Sequence, residues 1–147
     1  MIYAVTDPRL TSVFHDVRLE RTYVHHTEGF DLLASETPDR LTIPLSQWLP
    51  AERVERRRDG ISYYNTSRKV DIPLIATFST DRTWVVASFT REMGNVWSNP
   101  ELTCQHVDPQ TSLAPGQDAT LEVKILVLRG SLNNVLEKAI LQRNFLK

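Results

Sequence analysis

Apolar and polar residues alternate with a period of two along most of this chain, and with a period near 3.6 only at its end. The clearest alternation sets Ala119, Leu121, Val123, Ile125 and Val127 against Thr120, Glu122 and Lys124, running on to Leu128 before Arg129-Gly130 ends it. That pattern predicts a long strand over 119–128 with one apolar face. Earlier, residues 70–79 carry Ile72, Leu74, Ala76 and Phe78 on one face and Ile75 on the other. Thr80-Asp81-Arg82 then makes a tight connection into 83–90, where Val85, Ala87 and Phe89 oppose Trp84 and Val86. A strand apolar on both sides belongs in the middle of a sheet, so the pair predicts a hairpin whose second member is central.

Weaker signals fill in the rest. Residues 1–5 form a short β-prone run stopped by Asp7-Pro8. From Val13 to His25 the odd positions are more apolar and the even positions carry most of the charge, predicting one half-buried strand closed by a turn at 26–29. Phe30, Leu32 and Leu33 suit a second strand. Leu41-Thr42-Ile43, cut by Pro44, suits an edge strand, because proline cannot donate to a ladder. Trp48 is expected to plug one end of the core. Asp59-Gly60 is a hairpin signal ahead of Ile61-Ser62-Tyr63-Tyr64. Pro115-Gly116 fits the middle of a type II turn, where only glycine takes the positive φ cheaply.

After Gly130 the period changes. Ser131 can cap a helix, and Leu132, Val135, Leu136, Ala139 and Ile140 make a single apolar stripe over about 131–143. That stripe is expected to lie against the sheets or against a partner. Many short strands with one late helix predict an all-β fold, an antiparallel β-sandwich with one C-terminal amphipathic helix, in a single domain over 1–147. A barrel of the same strands is the alternative.

Composition narrows the partners. The chain is 41% apolar and 24% charged with a formal net charge of −1, ordinary values that offer no general attraction for nucleic acid or an anionic membrane. The charge-dense run at 51–59 sets four arginines against three acids and reads as a solvated face. No run reaches the roughly 18 apolar residues of a membrane span, and no signal-peptide pattern opens the chain. The expectation is a cytoplasmic protein, or a secreted one if this is part of a longer chain. In a secreted eukaryotic chain, Asn65-Thr66-Ser67 would be a glycosylation acceptor. The single cysteine, Cys104, excludes an internal disulfide.

Candidate chemistry gathers in the polar, aromatic passage between the two strongest strand signals. Trp97 with Asn99, Arg91 and His106 combines an aromatic face with an amide, a guanidinium and an imidazole, the groups that stack on a sugar ring and bond its hydroxyls. The 97–100 stretch is expected between strands, where binding residues concentrate. The alternative is that Trp97 is a core plug. Cys104, His106 and Asp108 would share a face if their segment is a strand, a donor set for zinc or a similar ion given a fourth ligand. The competing reading is a structural cysteine and histidine, since the spacing matches no zinc motif. A Cys/His nucleophilic pair is disfavoured because neighbours two apart on a strand face stand roughly 6–7 Å apart. No phosphate loop, dinucleotide fingerprint or serine elbow is present, and no cofactor is otherwise expected.

Leu113-Ala114-Pro115-Gly116-Gln117, the strand that follows and Arg129-Gly130 resemble the closing strand of galactose-mutarotase-like bacterial β-sandwich domains. The resemblance covers under a fifth of the chain and carries no catalytic residue. It implies a fold used by epimerases, polysaccharide lyases and accessory domains of glycoside hydrolases, an associational pointer only. The leading expectation is therefore a carbohydrate-binding or accessory module of a sugar-processing system. The alternatives are a small metal-dependent enzyme using Cys104, His106 and Asp108, and a structural domain forming homo-oligomers through its C-terminal helix.

Overall fold

The computed structural model describes residues 2–4, 13–16, 18–33, 41–43, 61–65, 70, 72–91, 95–99, 104–109 and 111–147. At 2–4, 41–43, 61–65, 95, 97, 99, 104 and 108 only the backbone is described. The expectations for Trp48, for the charged run at 51–59 and for the Asp59-Gly60 turn lie outside the described residues.

The fold is all-β with one C-terminal helix. The described residues form ten strands, in chain order β1 (Ile2–Ala4), β2 (Thr22–His26), β3 (Gly29–Leu32), β4 (Leu41–Ile43), β5 (Ile61–Asn65), β6 (Leu74–Phe78), β7 (Trp84–Thr90), β8 (Asn95–Asn99), β9 (Cys104–Asp108) and β10 (Val123–Arg129). Helix α1 spans Leu132–Arg143. Among the described residues the strands make two five-stranded sheets, ordered β1-β9-β8-β5-β4 and β10-β7-β6-β2-β3. Every pairing among them is antiparallel.

Strand alternation divides the apolar residues into two clusters. Ile75 and Val24 of the second sheet meet Val96 and Val107 of the first, together with Leu19, Leu33 and Val70. On the other side of the second sheet, Leu74, Ala76, Val85, Ala87 and Phe89 receive Val135 and Ala139 of α1. The second sheet is thus covered on both faces, which is why β6 and β7 read as apolar on both sides. β7 is central, between β10 and β6, and β4 is an edge strand, both as the pattern predicts.

Three boundaries differ from the sequence expectation. The strand predicted over Val13–His25 begins only at Thr22: Val13 and Phe14 are helical and Leu19 takes a left-handed φ of 56°. Both faces of β2 are covered, with Val24 facing the first sheet, Tyr23 edge-on to Phe78 and His25 edge-on to Phe30. The strand predicted over 119–128 starts at Val123, because its partner ends there, at Thr90 opposite Val123. Residues 111–121 are exposed. The third difference, at Asn95–Asn99, belongs to the site.

Turns follow their local chemistry. The Ala114 carbonyl accepts from the Gln117 N–H at 3.0 Å across Pro115-Gly116, with Gly116 at φ 81°, as a type II turn requires. In the β6–β7 connection the Asp81 carboxylate accepts from the Ser79 hydroxyl at 2.5 Å and the Thr83 N–H at 3.0 Å. The Ser79 hydroxyl bond, then that N–H, holds the Asp81 carboxyl below its ordinary pKa of 3.8. A depressed carboxylate stabilises the fold above the unfolded-state value, and that contribution is lost as pH falls through the folded one. Acid titration of stability is expected to show a component between those two values that vanishes in Asp81→Asn.

Helix α1 opens with the expected cap. Asn134 N–H donates to the Ser131 hydroxyl at 3.4 Å, and the Asn134 side chain accepts from the Ser131 N–H at 2.9 Å. The stripe that the sequence offers either to the sheets or to a partner lies on the second sheet through Leu132, Val135, Leu136 and Ala139. Of Leu132, Val135, Leu136 and Ile140, the face expected to meet a partner in an oligomer, the first three pack in this cluster and Ile140 is exposed. Gly130, at φ 149°, leaves no room for a side chain: a Cβ there would stand 2.6 Å from the Asn134 amide oxygen. Gly130→Ala is expected to lower stability by about 1–2 kcal/mol, read by urea denaturation, through backbone strain and a displaced cap.

Candidate functional site

The passage expected between strands is itself a strand. Asn95–Asn99 forms β8, paired with β9 along its whole length and with β5 at Tyr64 and Asn65. Alternation explains it: Val96 and Ser98 are buried toward the second sheet, leaving 95, 97 and 99 for the opposite face. The expected Trp97 loop is corrected to an internal strand of the first sheet.

Register then assembles one face from several strands. Trp97 stands opposite His106, Asn95 opposite Asp108 and Asn99 opposite Cys104. On the far side, Asn65 of β5 stands opposite Trp97, and Ile2 of β1 opposite His106. Three amide residues, a tryptophan, a histidine, a cysteine and an aspartate therefore occupy neighbouring register positions on the face of the first sheet turned away from the second. Because β9 spans Cys104–Asp108, the predicted Cys104, His106 and Asp108 also fall on one face. His106 is buried, at 3% exposure.

Arg91 is not brought to this face. It follows β7 in the second sheet, is exposed, and donates to the Leu146 carbonyl at 3.5 Å. Among the described residues no three His, Cys, Asp or Glu side chains gather as a metal site. That observation does not reach the Cys104 and Asp108 side chains.

Between the sheets lies a polar chain that period-two reading missed. Ser88 of β7 donates to the Gln105 side-chain oxygen at 3.4 Å, and Gln105 of β9 donates to Thr77 of β6 at 2.5 Å. Thr77 and Thr22 of β2 share a bond of 3.0 Å, and Thr22 donates its only hydroxyl proton to Asp16 at 2.8 Å. Thr77 must therefore be the donor to Thr22, so every proton in the chain points toward the Asp16 carboxylate. All five residues are buried. Aligned donors polarise one another, which makes the chain a directional tie between β9 and the second sheet. It anchors the strand that carries His106. The only sequence signal for it was serine, threonine and glutamine at inward positions of otherwise apolar strands.

Asp16 ends this chain in a second node. Its carboxylate accepts the backbone N–H groups of Glu20 at 3.1 Å and Arg21 at 2.8 Å, with the Arg21 guanidinium 4.0 Å away. Arg21 in turn donates to the carbonyls of Phe78, His15 and Val13. This node turns the chain ahead of β2, where the sequence pattern predicted a continuous strand.

No family model, curated protein or solved structure matches the chain. No helix among the described residues is long and apolar enough to cross a membrane.

Proposed function

We propose that this chain is a carbohydrate-binding or accessory module of a sugar-processing system, with the face of the first sheet turned away from the second as its ligand surface. The observation that carries this reading is the register across β5, β8 and β9, which lines up Asn65, Trp97 and His106. Neighbouring rows add Asn95, Asn99 and Asp108. An indole stacks on the apolar face of a pyranose, while amides and a carboxylate pair with its hydroxyls. Strand positions hold such groups more rigidly than a loop does, lowering the entropy cost of binding. The burial of His106 gives it a supporting part beneath the surface. Arg91, in the other sheet, lies outside the proposed surface. The resemblance of the Leu113–Gln117 turn and closing strand to galactose-mutarotase-like domains supports the same reading by analogy.

A glycan array and thermal-shift titrations with neutral and acidic sugars test it. Trp97→Ala is expected to weaken binding at least about tenfold, roughly 1.4 kcal/mol, with an unchanged circular-dichroism spectrum. A folded variant that binds as tightly as the parent removes this face from consideration.

The second reading is a metal site at Cys104, His106 and Asp108, favoured by their common face on β9. It predicts a stoichiometric divalent ion in the purified protein and its loss in Cys104→Ser. Metal-free protein after growth in zinc-supplemented medium rules the site out.

A further inference from the structure

The strands at the sheet edges differ sharply in length. The first sheet ends in β1 and β4, three residues each, and the second ends in β3, four residues that include a glycine and Asp31. Short, glycine-bearing or charged edges are what keep a sheet from pairing further. The remaining edge, β10, is seven residues long, Val-Lys-Ile-Leu-Val-Leu-Arg, with no proline, no glycine and five aliphatic side chains. Among the described residues it pairs only with β7.

Several exposed apolar residues lie on or next to this strand. Val127 of β10 is 57% exposed, and Trp84, register-paired with Arg129 of β10, is 45% exposed. Leu121 precedes Glu122, whose N–H donates to the Lys147 carbonyl at 2.9 Å, and Phe145, two residues before Lys147, is 84% exposed. An open backbone ladder ringed by large apolar side chains fits an extended strand.

We infer that β10 is a homodimerisation edge, pairing antiparallel with the β10 of a second copy about a two-fold axis at Leu126. This register pairs all seven residues. It sets Leu126 against itself, Ile125 against Val127, Lys124 against Leu128 and Val123 against Arg129, so no like charges oppose one another. Directly opposed residues share a face, so Val127 gains an aliphatic neighbour on the side where it is now bare. A formal net charge of −1 per chain adds little repulsion between copies. A two-fold pairing is closed, so it stops at the dimer and leaves no free β10 edge. The sugar proposal concerns the other sheet, and the two stand or fall separately.

Sedimentation velocity of the full chain over a dilution series is expected to show a monomer–dimer equilibrium. Val127→Lys, a charge on an exposed strand position, should weaken it tenfold or more with an unchanged monomer fold. In a Cys104→Ser background, Leu126→Cys should form a disulfide-linked dimer on oxidation, since opposed residues bring their Cα atoms within disulfide range. A monomer at every concentration overturns the proposal. So does a dimer indifferent to Val127→Lys, or one that fails to cross-link through position 126.

Discussion

Asp16→Ala is expected to remove about 3–5 kcal/mol of stability. The carboxylate is buried and receives three hydrogen bonds, from the Glu20 and Arg21 N–H groups and the Thr22 hydroxyl. Alanine leaves all three donors without that acceptor and the Arg21 guanidinium without its counter-charge, and each buried unmet donor costs on the order of 1–3 kcal/mol. Asp16→Asn keeps the shape and one acceptor, so it should lose less. Equilibrium urea unfolding followed by circular dichroism measures both. The polar chain from Asp16 through Thr22 and Thr77 to Gln105 adds a further consequence: near-ultraviolet signals from the inter-sheet core should change in Asp16→Ala even where the protein stays folded. A loss under about 1 kcal/mol would mean that neighbouring donors find water or other partners at no net cost.

Phe89→Ala is expected to cost about 3–5 kcal/mol, by lost transfer energy and the cavity left behind. Phe89 is fully buried in β7, opposite Leu74 on one side and Lys124 on the other, in the cluster that holds Val135 and Ala139 of α1. Collapse into the void is restrained because β7 is hydrogen-bonded on both edges. The loss should therefore sit toward the upper end of that range, and the helix should loosen with it. Hydrogen exchange at the α1 amides checks that part: faster exchange in Phe89→Ala across Leu132–Arg143 is the expected result. Unchanged protection there would show that α1 is held by its cap and not by this cluster.

Much of the fold was legible because local pattern and final environment agree. β6 and β7, the Thr80–Arg82 connection, the Pro115-Gly116 turn and the Ser131-capped helix each depend on residues within one or two turns of chain. Their period, caps and turn chemistry survive any plausible packing. The edge position of Leu41–Ile43 followed from Pro44 for the same reason. The failures share another cause. The Val13–His25 alternation looks like one strand, yet Arg21 finds the carbonyls of Val13, His15 and Phe78, and Asp16 the N–H groups of Glu20 and Arg21, partners that no periodicity encodes. The Trp97 passage looks like a loop because it is polar, yet its inward Val96 and Ser98 have room between the sheets.

The candidate site divides in the same way. Residue types were readable: tryptophan, histidine, cysteine, aspartate and asparagines within fifteen positions of chain. Their arrangement was not, since it depends on the register of β8 against β9 and β5, which pairs Trp97 with His106 and Asn65 while leaving Arg91 on the other sheet. A residue's alternation is a local property, so the sequence alone determined which side chains could share a face and where the helix begins. Which strands become neighbours is settled by long-range pairing and by the burial of both faces of the second sheet. Only the tertiary structure could therefore decide that Asp16 anchors β9 through a line of hydroxyls and the Gln105 amide, that His106 is covered, and that, among the described strands, β10 is the long one at a sheet edge.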